Sequence, residues 1–392
     1  MNLSYPTLQY GHDEEIGLLR QTLSQFAAQE IAPRAAEIDR NNDFPNDLWP
    51  KLGELGLLGI TIPEEYGGSG MGYLAHAIAM EEISRASASV GLSYGAHSNL
   101  CLNQIRLNGT EAQKQQYLPS LCSGEHVGAL AMSEPNAGSD VAAMTCSAQR
   151  DGDEWVLNGT KTWISNAGIA DFYTVFARSS DAGGAKGISC FIVEAGTPGF
   201  EVTERIDLVA PHPLGTLQFT DCRIPAASLV GEEGRGFGIA MATLDVFRST
   251  VAAAALGMAR RALDETLDYT AERDIFGGKL GDLQLVQAKI GEMALGVDAS
   301  ALLVYRAAWT KDCAAERVTR EAAMAKYHAT ETAQQVIDAA VQLHGGKGVT
   351  KGYIVESLYR DIRALRIYEG ASEVQTTIIA RQTINNHELG QA

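Results

Sequence analysis

The sequence predicts a multidomain α+β fold with three parts: an N-terminal α-helical domain (1–125), a central β-barrel-like domain (126–237) and a C-terminal four-helix bundle (238–392). Three observations support this prediction. At 392 residues, the chain is longer than one hydrophobic core supports, so several domains are expected. Apolar residues recur at helical spacing in the first and last parts of the chain. The part between them contains short β-prone runs separated by Gly, Pro and Asp.

The N-terminal domain is predicted to be helical because its apolar residues follow the helical period. Ile16–Leu19, Phe26 and Ile31 lie at that spacing. The run Leu52–Ile62 ends at Pro63, and a further apolar-periodic run covers residues 74–83. Since this pattern places apolar side chains on one face of a helix, amphipathic helices are expected here.

The middle domain is predicted to contain a β-hairpin and several further strands. Asn158-Gly159 lies between two β-prone segments of Trp155–Ile164, and this dipeptide is the strongest short-range hairpin signal. Further strands are predicted at Phe172–Ala177, Ile188–Val193 and Leu217–Ile224.

The C-terminal part contains long apolar runs with short breaks. Helices are predicted over Ile239–Arg273, Leu283–Lys311, Arg317–Leu343 and Ser372–Asn386. Long helices joined by short connections are typical of a four-helix bundle.

The formal charge of -17 argues against a nucleic-acid partner, because phosphate backbones are bound through clustered Lys and Arg. Small anionic ligands stay possible, since a few placed Arg residues or helix N-termini can hold them. The six cysteines show no C-x-x-C pair, so neither a zinc site nor a disulfide framework is expected.

The N-terminus, with Asp13, Glu14 and Glu15, has neither a secretory signal pattern nor an acid-poor transit sequence. No stretch approaches the roughly 20 apolar residues of a membrane span, so no membrane partner is expected. A cytoplasmic location follows as the expectation.

Four groups of residues carry possible chemistry: 130–140, 161–168, 272–284, and 342–348 together with 360–375. The first has the polar, Gly-rich composition of a ligand-binding turn, the second places Trp163 beside hydroxyl side chains, and the third offers Arg273 for a pyrophosphate. Each also has an ordinary structural interpretation: a polar loop, a core Trp, a surface Arg, a helix cap and a solvated Glu.

Taken together and in order, these groups resemble the acyl-CoA dehydrogenase family, and the resemblance covers essentially the whole chain. The strings Ser133-Glu-Pro-x-Ala-Gly-Ser-Asp140 and Tyr368-Glu-Gly-x-Ser372 are highly specific in combination. The resemblance implies FAD as cofactor, an acyl-CoA substrate and an electron-transferring flavoprotein as electron acceptor. It also implies a homo-oligomer, usually a tetramer, whose FAD sites are completed by two subunits.

The family resemblance assigns the FAD contacts to residues of two groups. Contacts to the flavin ring and its surroundings are expected from Leu130, Met132, Ser133, Trp163, Ile164 and Ser165. Contacts to a neighbouring subunit's cofactor are expected from Arg273, Phe276, Gln284, Gln342, Gly345, Gly346, Ala371 and Glu373. Ala371 and Glu373 stand where some relatives have Thr and Gln.

The resemblance identifies Glu369 as the catalytic base, which removes the α-proton while flavin N5 accepts the β-hydride. A carboxylate in a dry pocket is a stronger base than one in water. The acyl-CoA channel is expected to be lined by Ser139, Asp245, Arg248, Tyr368 and Gly370.

Two stretches depart from a single subfamily pattern. Ser87–Cys101 resembles isovaleryl-CoA dehydrogenase, yet that branch carries its base at the position of Phe247 and lacks one at Glu369. Val209–Gly215 replaces a Lys-x-Gly-x-Arg run. These departures predict a short, branched or cyclic acyl group without choosing among them.

Two other functions remain open at the level of sequence. One is an oxygen-using flavin oxidase or nitroalkane-oxidising enzyme of the same fold, although nitroalkane enzymes favour Asp as base and need no CoA contacts. The other is a non-catalytic helical scaffold that has kept the fold, which retention of the Glu369 loop and the flavin strings disfavours.

Overall fold

The computed structural model describes residues 13–389. The first 12 residues of the predicted N-terminal domain lie outside the described residues. Within the described range the order is helices, then strands, then helices, which confirms the predicted fold class.

Between residues 13 and 125, the N-terminal part contains seven α-helices. They are α1 (Asp13–Phe26), α2 (Ala35–Asn41), α3 (Leu48–Glu54), α4 (Gly72–Ala86), α5 (Ala88–Gly95), α6 (Asn103–Asn108) and α7 (Glu111–Ser123). Helix α4 is buried over almost its whole length, because α1 packs on one side of it and the C-terminal helices on the other.

The middle part is one eight-stranded mixed sheet. Its strands are β1 (Gly128–Ala131), β2 (Ser147–Asp151), β3 (Glu154–Ser165), β4 (Phe172–Arg178), β5 (Ile188–Glu194), β6 (Phe200–Arg205), β7 (Leu214–Pro225) and β8 (Leu229–Val230). The order is β6-β7-β3-β2-β4-β5-β8, with β1 added in parallel to β4. The three strands predicted after the hairpin are confirmed as β4, β5 and β7.

The hairpin predicted at Asn158-Gly159 is wrong. Both residues lie inside β3, where the register to β7 shifts between Leu157 and Gly159. A Cβ on Gly159 would lie 2.7 Å from the Cα of Cys146, and its φ is 140°. The glycine therefore allows a bulge and a close backbone approach, while the turn between β2 and β3 is made around Gly152.

The C-terminal part contains five α-helices. They are α8 (Gly236–Glu272), α9 (Gln284–Asp312), α10 (Thr319–His344), α11 (Ile354–Leu365) and α12 (Ser372–Leu389), with a short hairpin of β9 (Asp274–Ile275) and β10 (Gly278–Lys279) after α8. The four predicted helices are present as α8, α9, α10 and α12. Helix α11 was not predicted. Its apolar residues recur at helical spacing between charged ones, so the signal for a short amphipathic helix was present in the sequence.

Helix α8 corrects the expectation that no segment could span a membrane. It is the one helix among residues 13–389 whose length and composition satisfy that test, with a mean hydropathy of 1.4 over its best window. However, 83% of that window is buried inside the fold. Such burial identifies α8 as a core helix, against which α4, α9 and α10 pack.

Candidate active site

Glu369 lies in the turn between α11 and α12, in a backbone conformation that side chains rarely adopt. Its φ is 54°, and that of Gly370 is 87°. Gln375 stabilises this left-handed turn through its amide, which donates to the carbonyls of Glu369 at 3.2 Å and Gly370 at 2.9 Å. Lys326 on α10 donates to the same Gly370 carbonyl at 2.8 Å. A strained non-glycine residue held this firmly is characteristic of functional sites.

The Glu369 carboxylate is held in a partly buried position with two cations nearby. Burial raises its pKa to about 7, and the cations Arg248 and Lys326 oppose that rise. Among residues 13–389 it forms no side-chain hydrogen bond or ion pair within 4.0 Å. Burial also lowers the pKa of Lys326 to about 8. The carboxyl can therefore exchange a proton near neutral pH, as a general base must.

Arg248 is positioned by a buried carboxylate one helical turn earlier on α8. Asp245 accepts from Arg248 Nη1 at 2.7 Å. Its other oxygen accepts from Arg317 at 2.6 Å and from the Thr319 hydroxyl at 2.6 Å. Since both oxygens of Asp245 accept hydrogen bonds, the carboxylate is fixed in place, and it fixes the Arg248 guanidinium in turn. The charge of Arg248 acts on Glu369.

Tyr368 and Asp361 lie close to the same turn. The buried Tyr368 hydroxyl has no hydrogen-bond partner among the described residues. Burial raises the pKa of Tyr368 well above its ordinary value, with the charges of Glu369 and Asp361 adding to the rise. Burial likewise raises the pKa of Asp361 to about 8. The site therefore disfavours additional negative charge.

The Ser133 motif is attached to β3 by side-chain contacts. The Ser133 hydroxyl donates to the Thr162 carbonyl at 2.6 Å. Glu134 forms a buried ion pair with Lys161 at 2.8 Å and accepts from the backbone N–H of Thr145 and Cys146. Burial alone would raise the pKa of Glu134, but Lys161 and these donors hold it below its usual value. The turn after β1 is therefore rigid.

Trp163 lies near the end of β3, and it has a left-handed backbone and an exposed ring. Its φ is 61°, and 56% of the residue is exposed. Ile164 beside it is buried, whereas Ser165 is half-buried. An exposed indole and a hydroxyl at the end of a strand fit a planar aromatic ligand. On the neighbouring turn, Met132 is buried and Leu130 packs against the core.

The second predicted group lies at the far end of the C-terminal helices. Arg273, Phe276 and Gln284 are exposed on the β9–β10 hairpin and the start of α9. His344 stacks on Tyr269 with ring centroids 4.4 Å apart, which brings the end of α10 to this end of α8. The structure thereby places Gln342, Gly345 and Gly346, all exposed, at that end as well.

The two groups are far apart in one chain. Lys326, beside Glu369, and Gln342 are on one helix, and the helical rise separates them by about 24 Å. Arg248 and Glu272, the last residue of α8 before Arg273, are separated by about 36 Å along the helix. The structure brings together Glu369, Gly370, Tyr368 and Arg248, and it keeps the Arg273 group away from them.

The remaining predicted residues lie at the borders of the site. Ser139 is exposed in the loop after β1, Ala371 is half-buried directly after the Glu369 turn, and Glu373 is exposed in the first turn of α12. Among residues 13–389, no group of three or more His, Cys, Asp or Glu side chains could hold a metal ion.

Sequence reasoning missed several residues that build the site: Glu134, Lys161, Lys326, Asn166 and His212. Asn166 donates from its side chain to the carbonyls of Ser93 and Gly128, both at 3.1 Å. The one sequence signal that could have found such residues is a charged residue within an apolar run, as at Lys326 in α10. Their partners are distant in the sequence, so the pairings could not be predicted.

Comparison with known proteins identifies the family. Three family models match the chain: acyl-CoA dehydrogenase N-terminal domain at residues 13–125, middle domain at 129–222 and C-terminal domain at 234–384. Isovaleryl-CoA dehydrogenase, mitochondrial, of Pongo abelii is 44% identical over 95% of this chain and 89% of its own length.

Solved structures show the same fold. Butyryl-CoA dehydrogenase from Megasphaera elsdenii superposes with a TM-score of 0.93 at 36% identity, covering 96% of this chain and 100% of that one. A chain from a structure described as an electron transferring flavoprotein of Acidaminococcus fermentans has a TM-score of 0.94 at 38% identity, covering 96% and 99%. The chain belongs to the acyl-CoA dehydrogenase family, whose members are FAD-dependent oxidoreductases.

Proposed function

We propose that this protein oxidises a short, branched or cyclic acyl-CoA between Cα and Cβ to the 2-enoyl-CoA, with Glu369 as the base. The observation that supports this most directly is the Glu369 carboxyl itself. It is partly buried, free of hydrogen bonds among the described residues, and has a pKa raised to about 7 by burial. Such a group is matched to removing a weakly acidic proton near neutral pH.

The proposed reaction balances with one proton and one hydride. The Cα–H bond breaks as its proton passes to a Glu369 oxygen, and the Cβ–H bond breaks as hydride leaves from the other carbon. FAD, when bound, supplies the two-electron acceptor for that hydride. Arg248 and Lys326 keep part of the Glu369 population ionised, so the base is available before substrate binds.

The residues around the Ser133 turn and the end of β3 are suited to hold the flavin ring. Leu130 and Met132 offer apolar contact, Ser133 and Ser165 offer hydroxyls, and Trp163 offers an exposed aromatic face beside Ile164. The Glu134–Lys161 ion pair holds these residues in place, which limits their rearrangement when the flavin binds.

The proposal includes a homo-oligomer, with a tetramer as the expected form. The Arg273 group lies too far from Glu369 to serve the same cofactor, so Arg273, Phe276, Gln284, Gln342, Gly345 and Gly346 are proposed to contact the FAD of a neighbouring subunit, with Ala371 and Glu373 near it. Exposed apolar residues support such a contact: Phe276 is 91% exposed, Leu285 83% and Leu295 72%. Patches of this kind mark protein interfaces.

The acyl-CoA channel is proposed to run along α8 toward Glu369. Asp245, Arg248, Tyr368 and Gly370 surround the Glu369 turn, and Ser139 lies at the exposed end of the Ser133 loop. The buried ring of Phe247 occupies the alternative base position, so Glu369 is left as the base. The similar isovaleryl-CoA and butyryl-CoA enzymes support a short or branched acyl group.

An electron-transferring flavoprotein is proposed as the electron acceptor, and the likeness to a chain from a structure of that description supports it. A cytoplasmic location remains the proposal from the sequence. All six cysteines are free thiols in the structure, which is compatible with a reducing compartment.

Anaerobic titration of the purified protein with acyl-CoAs tests the proposal. We expect a yellow protein whose flavin absorbance is bleached by butyryl-CoA, isovaleryl-CoA or a cyclic analogue, and not by a long straight-chain thioester. A colourless protein that binds no added FAD would contradict both enzyme functions. Rapid recovery of the colour in air would instead favour an oxygen-using oxidase.

A further inference from the structure

The loop between β6 and β7 places a buried imidazole behind Ser165. His212 is 4% exposed, although the loop around it lies at the surface. Its Nε2 is 3.5 Å from the Ser165 hydroxyl oxygen. This distance is at the outer limit of a hydrogen bond, and contacts at ligand-free sites commonly shorten once the ligand is bound.

The loop is attached to the protein on both sides of His212. The Asn166 backbone N–H donates to the Pro213 carbonyl at 2.9 Å. On the other side, Arg360 of α11 donates to the Val209 carbonyl at 2.9 Å and pairs with Asp39 at 2.8 Å. His212 is therefore held by contacts to the turn that follows β3 and to α11, the helix that leads to Glu369.

The hydrogen bonds of His212 define its tautomer. Nδ1 lies 3.1 Å from the Ala210 carbonyl oxygen, and a carbonyl only accepts, so Nδ1 carries the proton. Burial lowers the pKa of His212, which keeps the ring neutral. Nε2 is then a lone-pair acceptor directed at Ser165.

We propose that His212 is a positioning residue, which gives the Ser165 hydroxyl an alternative acceptor and so favours the reduced form of the bound flavin. The inference rests on the proposed function, in which Ser165 faces the flavin ring. A ring nitrogen that receives hydride changes from hydrogen-bond acceptor to donor. A serine beside it must then turn its own proton elsewhere, and His212 Nε2 is placed to accept it.

The Ser165 hydroxyl depends on His212 for this alternative acceptor. Without His212, the Ser165 hydroxyl would lose this acceptor at a position that bound flavin would cover, and a covered donor without a partner is unfavourable. With oxidised flavin, Ser165 can donate to the ring instead. The benefit of His212 is therefore confined to one redox state and appears in the reduction potential.

The test is the midpoint potential of the FAD-loaded protein, measured by anaerobic equilibration with a redox dye. His212→Asn keeps a donor for the Ala210 carbonyl but is too short to reach Ser165. We expect it to shift the potential to more negative values, equivalent to about a fivefold lower ratio of reduced to oxidised FAD, the size of one net hydrogen bond. His212→Gln, whose longer amide can present an acceptor, should recover most of the wild-type potential.

A double-mutant cycle separates positioning from general damage. In a Ser165→Ala background, His212→Asn should cause no further shift, because the hydroxyl through which it acts is absent. An equal shift in both backgrounds, or an unchanged potential in His212→Asn, would overturn the inference. His212→Leu serves as a second removal of the acceptor if the Asn variant folds poorly. Failure of the wild-type protein to bind FAD would contradict the proposed function, which is a distinguishable outcome.

Discussion

Glu81 on α4 and Glu369 after α11 are both carboxylates withdrawn from water, yet their surroundings give them opposite properties. Glu81 is fully buried and accepts from Arg20 at 3.0 Å and 3.2 Å and from the Tyr305 hydroxyl at 2.5 Å. Arg260 forms an ion pair with it at 2.7 Å. Burial alone would raise the pKa of Glu81, but Arg20 and Arg260 outweigh it and hold the pKa at about 2.

At Glu369 the balance is reversed. Its cations, Arg248 and Lys326, bond to other groups, Asp245 and the Gly370 carbonyl respectively. They lower the pKa from a distance but do not overcome burial, so it stays near 7. Direct pairing makes a carboxylate a structural anion, whereas cations held one contact away leave it able to take up a proton.

The largest expected effect is that of Glu369→Gln, which removes the base and keeps the shape of the side chain. Bleaching by the best acyl-CoA should slow by roughly 10²- to 10⁴-fold, while FAD and acyl-CoA still bind. Stopped-flow absorbance measures the rate. Bleaching at the wild-type rate would exclude Glu369 as the base.

Glu81→Gln should act on stability instead. Removing one member of a buried ion cluster leaves Arg20 and Arg260 without their shared anion, and costs of about 3 to 5 kcal/mol are typical of such changes. Denaturant unfolding measures the loss, and Glu125→Gln at the exposed turn before β1 is the matched control. A variant with wild-type stability but slow bleaching would contradict this assignment.

The pH dependence of the bleaching rate should show the effect of Arg248 and Lys326 on Glu369. Ionised Glu369 is the active form, so the bleaching rate should rise with pH through about 7. Lys326→Met removes a charge that favours the ionised form, so the apparent pKa should move upward by roughly half a unit to one unit. A pH–rate profile of both proteins is the measurement. A downward move would mean that Lys326 acts otherwise.

The smallest expected effect concerns stability and pH. The folded-state pKa of Glu369 lies above its ordinary value of 4.5, so folding favours the protonated form and stability falls as pH rises through the window from about 5 to 7. Glu369→Gln removes this loss, and its melting temperature should exceed that of the wild type by about 1 to 2 °C near pH 8, with no gain near pH 5. An equal gain at both pH values would indicate a different cause.

Local sequence patterns predicted most elements correctly, but they failed where close packing of the backbone decides the conformation. The strands β4, β5 and β7 and the long C-terminal helices follow directly from apolar periodicity. The hairpin prediction at Asn158-Gly159 was wrong because the dipeptide that forms a hairpin turn also permits a bulge. The close approach of Cys146 to Gly159 favours the bulge here.

The candidate site shows the same division. The Ser133 and Tyr368 strings identified the family and, through it, predicted Glu369 as the base and the residues that would face the flavin, since the residues of each string are adjacent in the chain. The Glu134–Lys161 pair and the His212–Ser165 contact join residues on different strands and loops. No spacing rule predicts such pairs, because they depend on strand order and register.

The sequence by itself determined the order of domains, the position of the acidic residue in the Glu369 turn and the absence of a second candidate at Phe247. Only the tertiary structure decided how readily that acid takes up a proton. Its pKa depends on burial between α8, α10 and the turn after α11, and on whether Arg248 and Lys326 bond to it or to other groups. Because electrostatic energy depends on distance and on exclusion of water, and neither is given by the order of residues, Glu81 and Glu369 acquire different pKa values only after the chain has folded.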